Sequence, residues 1–194
     1  MADKVILVSG SPRRRELISE ITRNFVVWAG SQDEPEWSQN EAPGSYLNRA
    51  LRHKWSDACT RWRELGKPQA LILVADTIVV QDSTVLGKPK DSHHAVQTLK
   101  RLSGTWHEVW TGFALARGSE PSPSFERVVS KIRFRSIPRP EIESYVRTGE
   151  PMDKAGAYGF QGPALSFVSE LRGSYSNVVG LPVLEVAERL RAQR

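Results

Sequence analysis

The stretch from Ala70 to Val80, reading ALILVADTIVV, decides the fold class. It is rich in β-branched side chains, carries one charge at Asp76, and is too short to cross a bilayer, so it predicts a β-strand covered on both faces. Such a strand belongs inside a sheet with helices on either side. Working outward, Gln81 to Thr84 supplies a turn. Upstream, Pro43 to Leu65 places Leu47, Ala50, Leu51, Lys54, Trp55, Ala58, Cys59, Trp62 and Leu65 at three-and-four spacing, with Gly66 where a helix C-terminus favours it. That is a long amphipathic helix. Downstream, Asp91 caps a helix bearing Ala95, Val96, Leu99 and Leu102, which stops near Ser103 and Gly104.

The rest of the chain continues the alternation. Lys4 to Ser9 predicts a short buried strand that runs through Gly10, Ser11 and Pro12 into a helix over Arg13 to Ile21. Phe25 to Ala29 predicts a second strand, followed by a polar loop from Ser31 to Asn40. Trp106 to Ala116 and Phe125 to Ile137 alternate as antiparallel strands joined by Gly118 to Ser124, the segment expected to be most mobile. A short helix over Pro140 to Thr148, a strand over Ala164 to Leu171 and a terminal helix over Val183 to Arg194 complete the pattern. With no repeat and no long linker, the expectation is one α/β domain over residues 1–194. Strand order does not follow from the pattern.

The 194 residues are long enough to bury a core unaided, and 39% hydrophobic with 25% charged residues is the balance of a folded globular chain. Cys59 is the only cysteine, so neither an internal disulfide nor a zinc knuckle is available, and a reducing cytoplasm is expected. The short apolar run before Ser9 falls far below a signal peptide or a membrane span, so membrane association is not expected. A formal net charge of +5 favours anionic partners. Most basic residues alternate with acidic ones, as on a solvated helix face, and the single dense cluster is Arg13, Arg14 and Arg15. Nucleic acid is therefore not the expected partner.

That cluster sits at a helix start, where each cation costs about 0.3–1 kcal/mol against the helix dipole. A bound anion would relieve it, and a Gly-Ser-Pro loop with Ser11, Arg13 and Arg14 at its helix mouth is a ready phosphate cradle. The alternative is arginines lying along the helix surface. Asp76 needs a cation, a metal or water, because a buried lone carboxylate costs several kcal/mol. With Glu34 in a nearby loop it forms a candidate Mg2+ site, the alternative being a structural ion pair with an arginine. Lys88, in Leu86-Gly-Lys-Pro89, is placed on a constrained loop to meet a phosphate. Lys54 interrupts the helix stripe, as either a snorkelling side chain or an inward cation. The segment from Glu150 to Gly162, EPMDKAGAYGFQG, has glycines that let a ligand approach its backbone, and it carries Lys154 and Gln161. The Gln161 carboxamide both donates and accepts, which matches the imide edge of uracil or thymine. The histidines lack metal-ligand spacing, and Cys59 reads as core.

Taken together and in order, LVSGSPRRREL, ADTIVV, LGKPKD, EPMDKAGAYGFQG and NVVGLPV make the chain resemble the Maf family of nucleoside triphosphate pyrophosphatases from about Val5 to Leu190. The resemblance implies a mixed α/β fold shared with inosine-triphosphate pyrophosphatases, a long sheet with a central cleft, a homodimer, and a divalent cation, Mg2+ or Mn2+. By position it implies Asp76 as the catalytic carboxylate, Glu34 as a metal-side glutamate, and Lys54 and Lys88 as functional lysines. Arg13, Thr77 and Gln161 match the specificity positions of the branch acting on dTTP and UTP. The branch preferring 7-methyl-GTP carries Trp, Gln and Glu at those places. The expected reaction is hydrolysis to the monophosphate and pyrophosphate, with a non-catalytic regulator of septum formation as the alternative from another class. Trp106, Trp110 and Gly112, and the helix tryptophans Trp55 and Trp62, depart from the family's usual pattern.

Overall fold

A computed structural model describes residues 4–30, 35–66 and 68–193. Seven strands form one mixed sheet: β1 (Val5–Val8), β2 (Phe25–Trp28), β3 (Leu71–Gln81), β4 (Thr84–Leu86), β5 (Trp106–Arg117), β6 (Glu126–Phe134) and β7 (Val168–Arg172). The order is β2-β1-β3-β5-β6-β7, with β4 also paired to β3. The β1 strand runs parallel to both β2 and β3, whereas every other pairing is antiparallel. The decisive stretch is the spine of this sheet, buried along its length except near Asp76 and Thr77.

Side-chain alternation distributes the apolar residues to two layers. Ile6, Val8, Ile72 and Val74 pack under α2 (Pro43–Glu64) against Leu47, Leu51 and Trp55. Val5, Leu7, Leu71 and Leu73 face the opposite side, where α1 (Pro12–Ser19) contributes Ile18 and α6 (Val183–Arg191) contributes Val186. At the far end of the sheet, α3 (Ser92–Leu102) and α4 (Arg139–Arg147) cover Val109, Ile132 and Phe134. Leu47 and Leu51 are fully buried, so truncating either to Ala costs about 2–5 kcal/mol.

Local signals act as read. Asp91 caps α3 by accepting from the His94 amide at 2.7 Å. The β3–β4 turn places Asp82 and Ser83 at φ of 48° and 61°, the left-handed backbone that two-residue hairpins use. One expectation is corrected. The segment 164–171 is not a single strand: Pro163–Phe167 forms a 3-10 turn and the strand begins at Val168. Pro163 presets a helical φ and has no amide to give a ladder, and Leu165 is exposed rather than core. Two short elements give no periodic signal and were not foreseen, β4 and α5 (Tyr175–Val179). Among the described residues no helix is long and apolar enough to cross a membrane.

Candidate functional site

The site follows from where strands stop. The β5 strand accompanies β3 along one edge from Leu71 to Val80. On the other edge β1 ends at Val8, opposite Val74, and β4 begins pairing only at Val79, opposite Leu86. Among the described residues, 75–78 thus have no strand neighbour on that edge. A cleft of about 520 Å³ opens at this gap, beyond the carboxyl end of β1, the place where ligands enter open α/β sheets.

Ser11, Arg13, Arg14, Lys54, Asp76, Thr77, Lys88, Lys154 and Gln161 all line this one cleft. Residues 31–34 lie outside the described residues, and Glu34 with them. Because successive strand residues point to opposite faces, the open edge presents Asp76 toward α2 and Thr77 toward α1 and α5. Lys54 points inward, and its Nζ lies 2.5 Å from Asp76 Oδ1. Both side chains are nearly buried, at 10% and 15% exposure, so solvent screens this pair weakly. The cation that Asp76 requires is therefore a lysine one helix away.

The three clustered arginines divide. Arg13 lines the cleft, Arg15 is exposed outside it, and Arg14 is a strut. The Arg14 guanidinium donates to the Gly180 carbonyl at 2.8 Å and to Thr77 Oγ1 at 3.0 Å, with a longer bond to Ser9 Oγ at 3.4 Å. It thereby ties α1, β3 and the end of α5 together. No acidic residue sits in the first turn of α1, so the positive helix end faces the cleft uncompensated by its own sequence. Lys88 projects from a loop whose Gly87 carbonyl accepts from the Gly156 amide at 3.1 Å, which docks this loop onto the 150–162 segment. Gly156 has φ of 70°, and a Cβ there would lie 3.0 Å from Val79, so glycine is required for that close approach. Lys154 Nζ lies 2.5 Å from Asp153, and this contact holds the Asp153 carboxyl below its ordinary pKa. Gln161 is exposed at the rim.

In sum of charge, Arg13, Arg14, Lys54, Lys88 and Lys154 face two carboxylates, Asp76 and Asp153, among the described lining residues. This excess suits a polyanion. At the cleft wall, Tyr158 bonds His107 behind it at 2.8 Å, and burial lowers the His107 pKa to about 4 while raising that of Tyr158. Tyr145 accepts the Gly159 amide at 3.1 Å, and its own pKa is pushed up to about 12 by burial. Sequence reasoning named Asp153 in the 150–162 loop but passed over Tyr158, Thr111 and Asn177. Asn177 lies in the quoted string NVVGLPV, but neither string nor spacing reveals its contacts. A second hollow of about 450 Å³ lies between α2 and residues 118–125. Its indoles already donate to backbone carbonyls, Trp55 to Glu120 and Trp62 to Pro68, and burial raises the Cys59 pKa. None of the described candidate residues lines it.

The family model described as Maf-like protein matches residues 4–193. A dTTP/UTP pyrophosphatase of Symbiobacterium thermophilum is 43% identical over 187 residues, covering 96% of this chain and 92% of the relative. One from Hahella chejuensis is 42% identical over 191 residues, covering 97% and 91%. A third, from Methylococcus capsulatus, is 43% identical over 188 residues, covering 97% and 90%. A solved nucleoside-triphosphatase / dITP/XTP pyrophosphatase from Mycobacterium abscessus aligns over 98% of this chain and 93% of that chain. Its TM-score of 0.44 and 14% identity make that likeness too distant to carry an argument.

Proposed function

Because the chain belongs to the Maf family, we propose that its cleft hydrolyses dTTP and UTP to the nucleoside monophosphate and pyrophosphate. The observation that carries this reading is the Asp76–Lys54 pair at the open edge of β3, ringed by further cations in a cleft large enough for a nucleotide. Full-length relatives named as dTTP/UTP pyrophosphatases support the substrate assignment.

Asp76 is the catalytic carboxylate. Lys54 fixes its direction, so Asp76 orients a water and takes its proton as the water oxygen attacks the α-phosphorus. The bond from that phosphorus to the bridging oxygen breaks, and pyrophosphate leaves with the electron pair. Arg13, Lys88 and Lys154 offset the charge on the phosphoryl oxygens and the leaving group. Arg14 holds the loop that carries Ser11 in place. Thr77 and Gln161 are the groups assigned to recognition of the nucleoside.

No cluster of three or more acidic, histidine or cysteine side chains that could cage a metal occurs among the described residues. The Asp76 carboxylate at the open edge of β3 fits Mg2+ or Mn2+, which take few protein oxygens and complete their shell with water and substrate phosphates. Asp76 would hold the ion, with Glu34 as the second assigned ligand. When bound, the cation adds charge neutralisation and polarises a phosphoryl oxygen. The lone cysteine, buried and with a raised pKa, suits a cytoplasmic enzyme.

The test is pyrophosphate release from all common nucleoside triphosphates with Mg2+ or Mn2+, using Asp76→Asn as the blank. Release from dTTP and UTP, absent in the blank, is the expected result. Release from purine triphosphates alone would keep the chemistry and overturn the assigned substrates.

A further inference from the structure

Thr77 reaches the cleft from a hydrogen-bond chain whose direction is fixed at its buried end. Thr111 Oγ1 donates to the Asn177 carbonyl at 2.8 Å. A carbonyl only accepts, so the single hydroxyl proton of Thr111 points there. Thr77 and Thr111 are register partners on β3 and β5, and their hydroxyls are 2.9 Å apart. With Thr111's proton directed at Asn177, Thr77 must be the donor in that pair. Arg14 Nη2 donates to the same Thr77 oxygen at 3.0 Å, taking one of its lone pairs.

The far end of the chain is buried and tied by further hydrogen bonds. Thr111, Asn177 and Ser130 are all fully buried. The Asn177 amide donates to the Val109 carbonyl at 3.0 Å and to Ser130 Oγ at 2.9 Å, and Ser130 in turn donates to the Ser174 carbonyl at 3.1 Å. Ser174 caps α5 through the Asn177 amide at 3.2 Å. Neither Thr111 nor Asn177 lines the cleft.

We infer that Thr111, oriented by the Asn177 carbonyl, is a specificity-determining positioning residue that leaves Thr77 able to meet a ligand only as an acceptor, through one remaining lone pair. The nucleoside must therefore bring a donor to Thr77, either the imide N–H of uracil or thymine or a sugar hydroxyl. A ring nitrogen that can only accept, as in cytosine, meets a lone pair that cannot turn away. This inference rests on the proposed pyrimidine substrates and adds the polarity with which they are read.

The test compares Thr111→Val with Thr111→Ser on dTTP, dCTP and 2′,3′-dideoxy-TTP, each protein first checked for folding by circular dichroism melting. Valine keeps the shape of threonine but frees the Thr77 proton, and serine keeps the hydroxyl. Turnover is measured on the otherwise unaltered protein and equilibrium binding in an Asp76→Asn background. The expected result is that Thr111→Val erodes the preference for dTTP over one of the two analogues by about fivefold or more, the scale of one hydrogen bond, and that Thr111→Ser restores it. Erosion in the dCTP arm assigns the donor to the imide, and erosion in the dideoxy arm assigns it to the sugar. An equal fall on all three nucleotides, or no change, overturns the inference. If the valine variant does not fold, Thr111→Ala supplies the same comparison. Failure of the unaltered protein to cleave dTTP counts against the assigned reaction alone, because the binding ratios still report on Thr111.

Discussion

Replacing Asp76 with Asn separates what the buried ion pair does for the reaction from what it does for the fold. At 2.5 Å and an effective dielectric of about 20, two unit charges attract by about 7 kcal/mol. Desolvating each ion costs several kcal/mol, so the intact pair is close to neutral for stability, whereas removing one partner is destabilising by about 3–5 kcal/mol. Asparagine retains an oxygen that accepts from the Lys54 ammonium, which reduces the expected loss to about 2 kcal/mol. Turnover should fall far more, by about 100- to 10,000-fold, because no carboxylate remains to take the water's proton. Adding Lys54→Met should return stability to within about 1 kcal/mol of the unaltered protein while leaving turnover at the level of the single variant. Urea unfolding and pyrophosphate release measure the two quantities on the same preparations. A folded Asp76→Asn protein keeping more than about a tenth of normal turnover would refute the catalytic assignment. A double variant that regains turnover together with stability would show that the pair is structural only.

Three further outcomes follow from other parts of the molecule. His107 has its pKa lowered to about 4 by burial, so the unfolded chain takes up the proton first. Stability should fall as pH drops from about 6.5 to about 4, by about 3 kcal/mol across that window, and urea titrations of His107→Gln should show this slope flattened. Gly112 stands opposite Asp76 in the sheet, and a Cβ there would lie 2.5 Å from Leu51 and 3.2 Å from Leu47. Gly112→Ala should lower stability by about 1–3 kcal/mol in chemical denaturation, and it should reduce kcat as α2 shifts Lys54. Treatment with a chelator should abolish pyrophosphate release, and Mg2+ or Mn2+ should restore it. The melting temperature without nucleotide should barely change, since the substrate supplies most of the ligands.

The longer elements were legible in the sequence because they depend on local periodicity and caps, which β4, α5 and the turn at Pro163–Phe167 are too short to display. The three-and-four spacing over residues 43–65 became α2, the apolar run over 70–80 became β3, and Asp91 opened α3 as read. The residue types of the cleft were legible too, since an aspartate in a buried strand and arginines at a helix start each require a partner. Direction and distance were not. Whether Lys54 faced solvent or the site depended on where α2 lies over β3, and which arginine became a strut depended on the Gly180 carbonyl, 166 residues away from Arg14. The cleft exists because β1 stops at Val8 and β4 joins at Val79, a mismatch set by the registers of three strands and written in no single segment. The hydroxyl chain from Asn177 through Thr111 to Thr77 likewise joins residues 66 and 34 positions apart. Local sequence fixes dihedral preference and which face is apolar, whereas long-range pairing, which closes loops at an entropic cost that only the whole core can offset, decides which polar atoms meet.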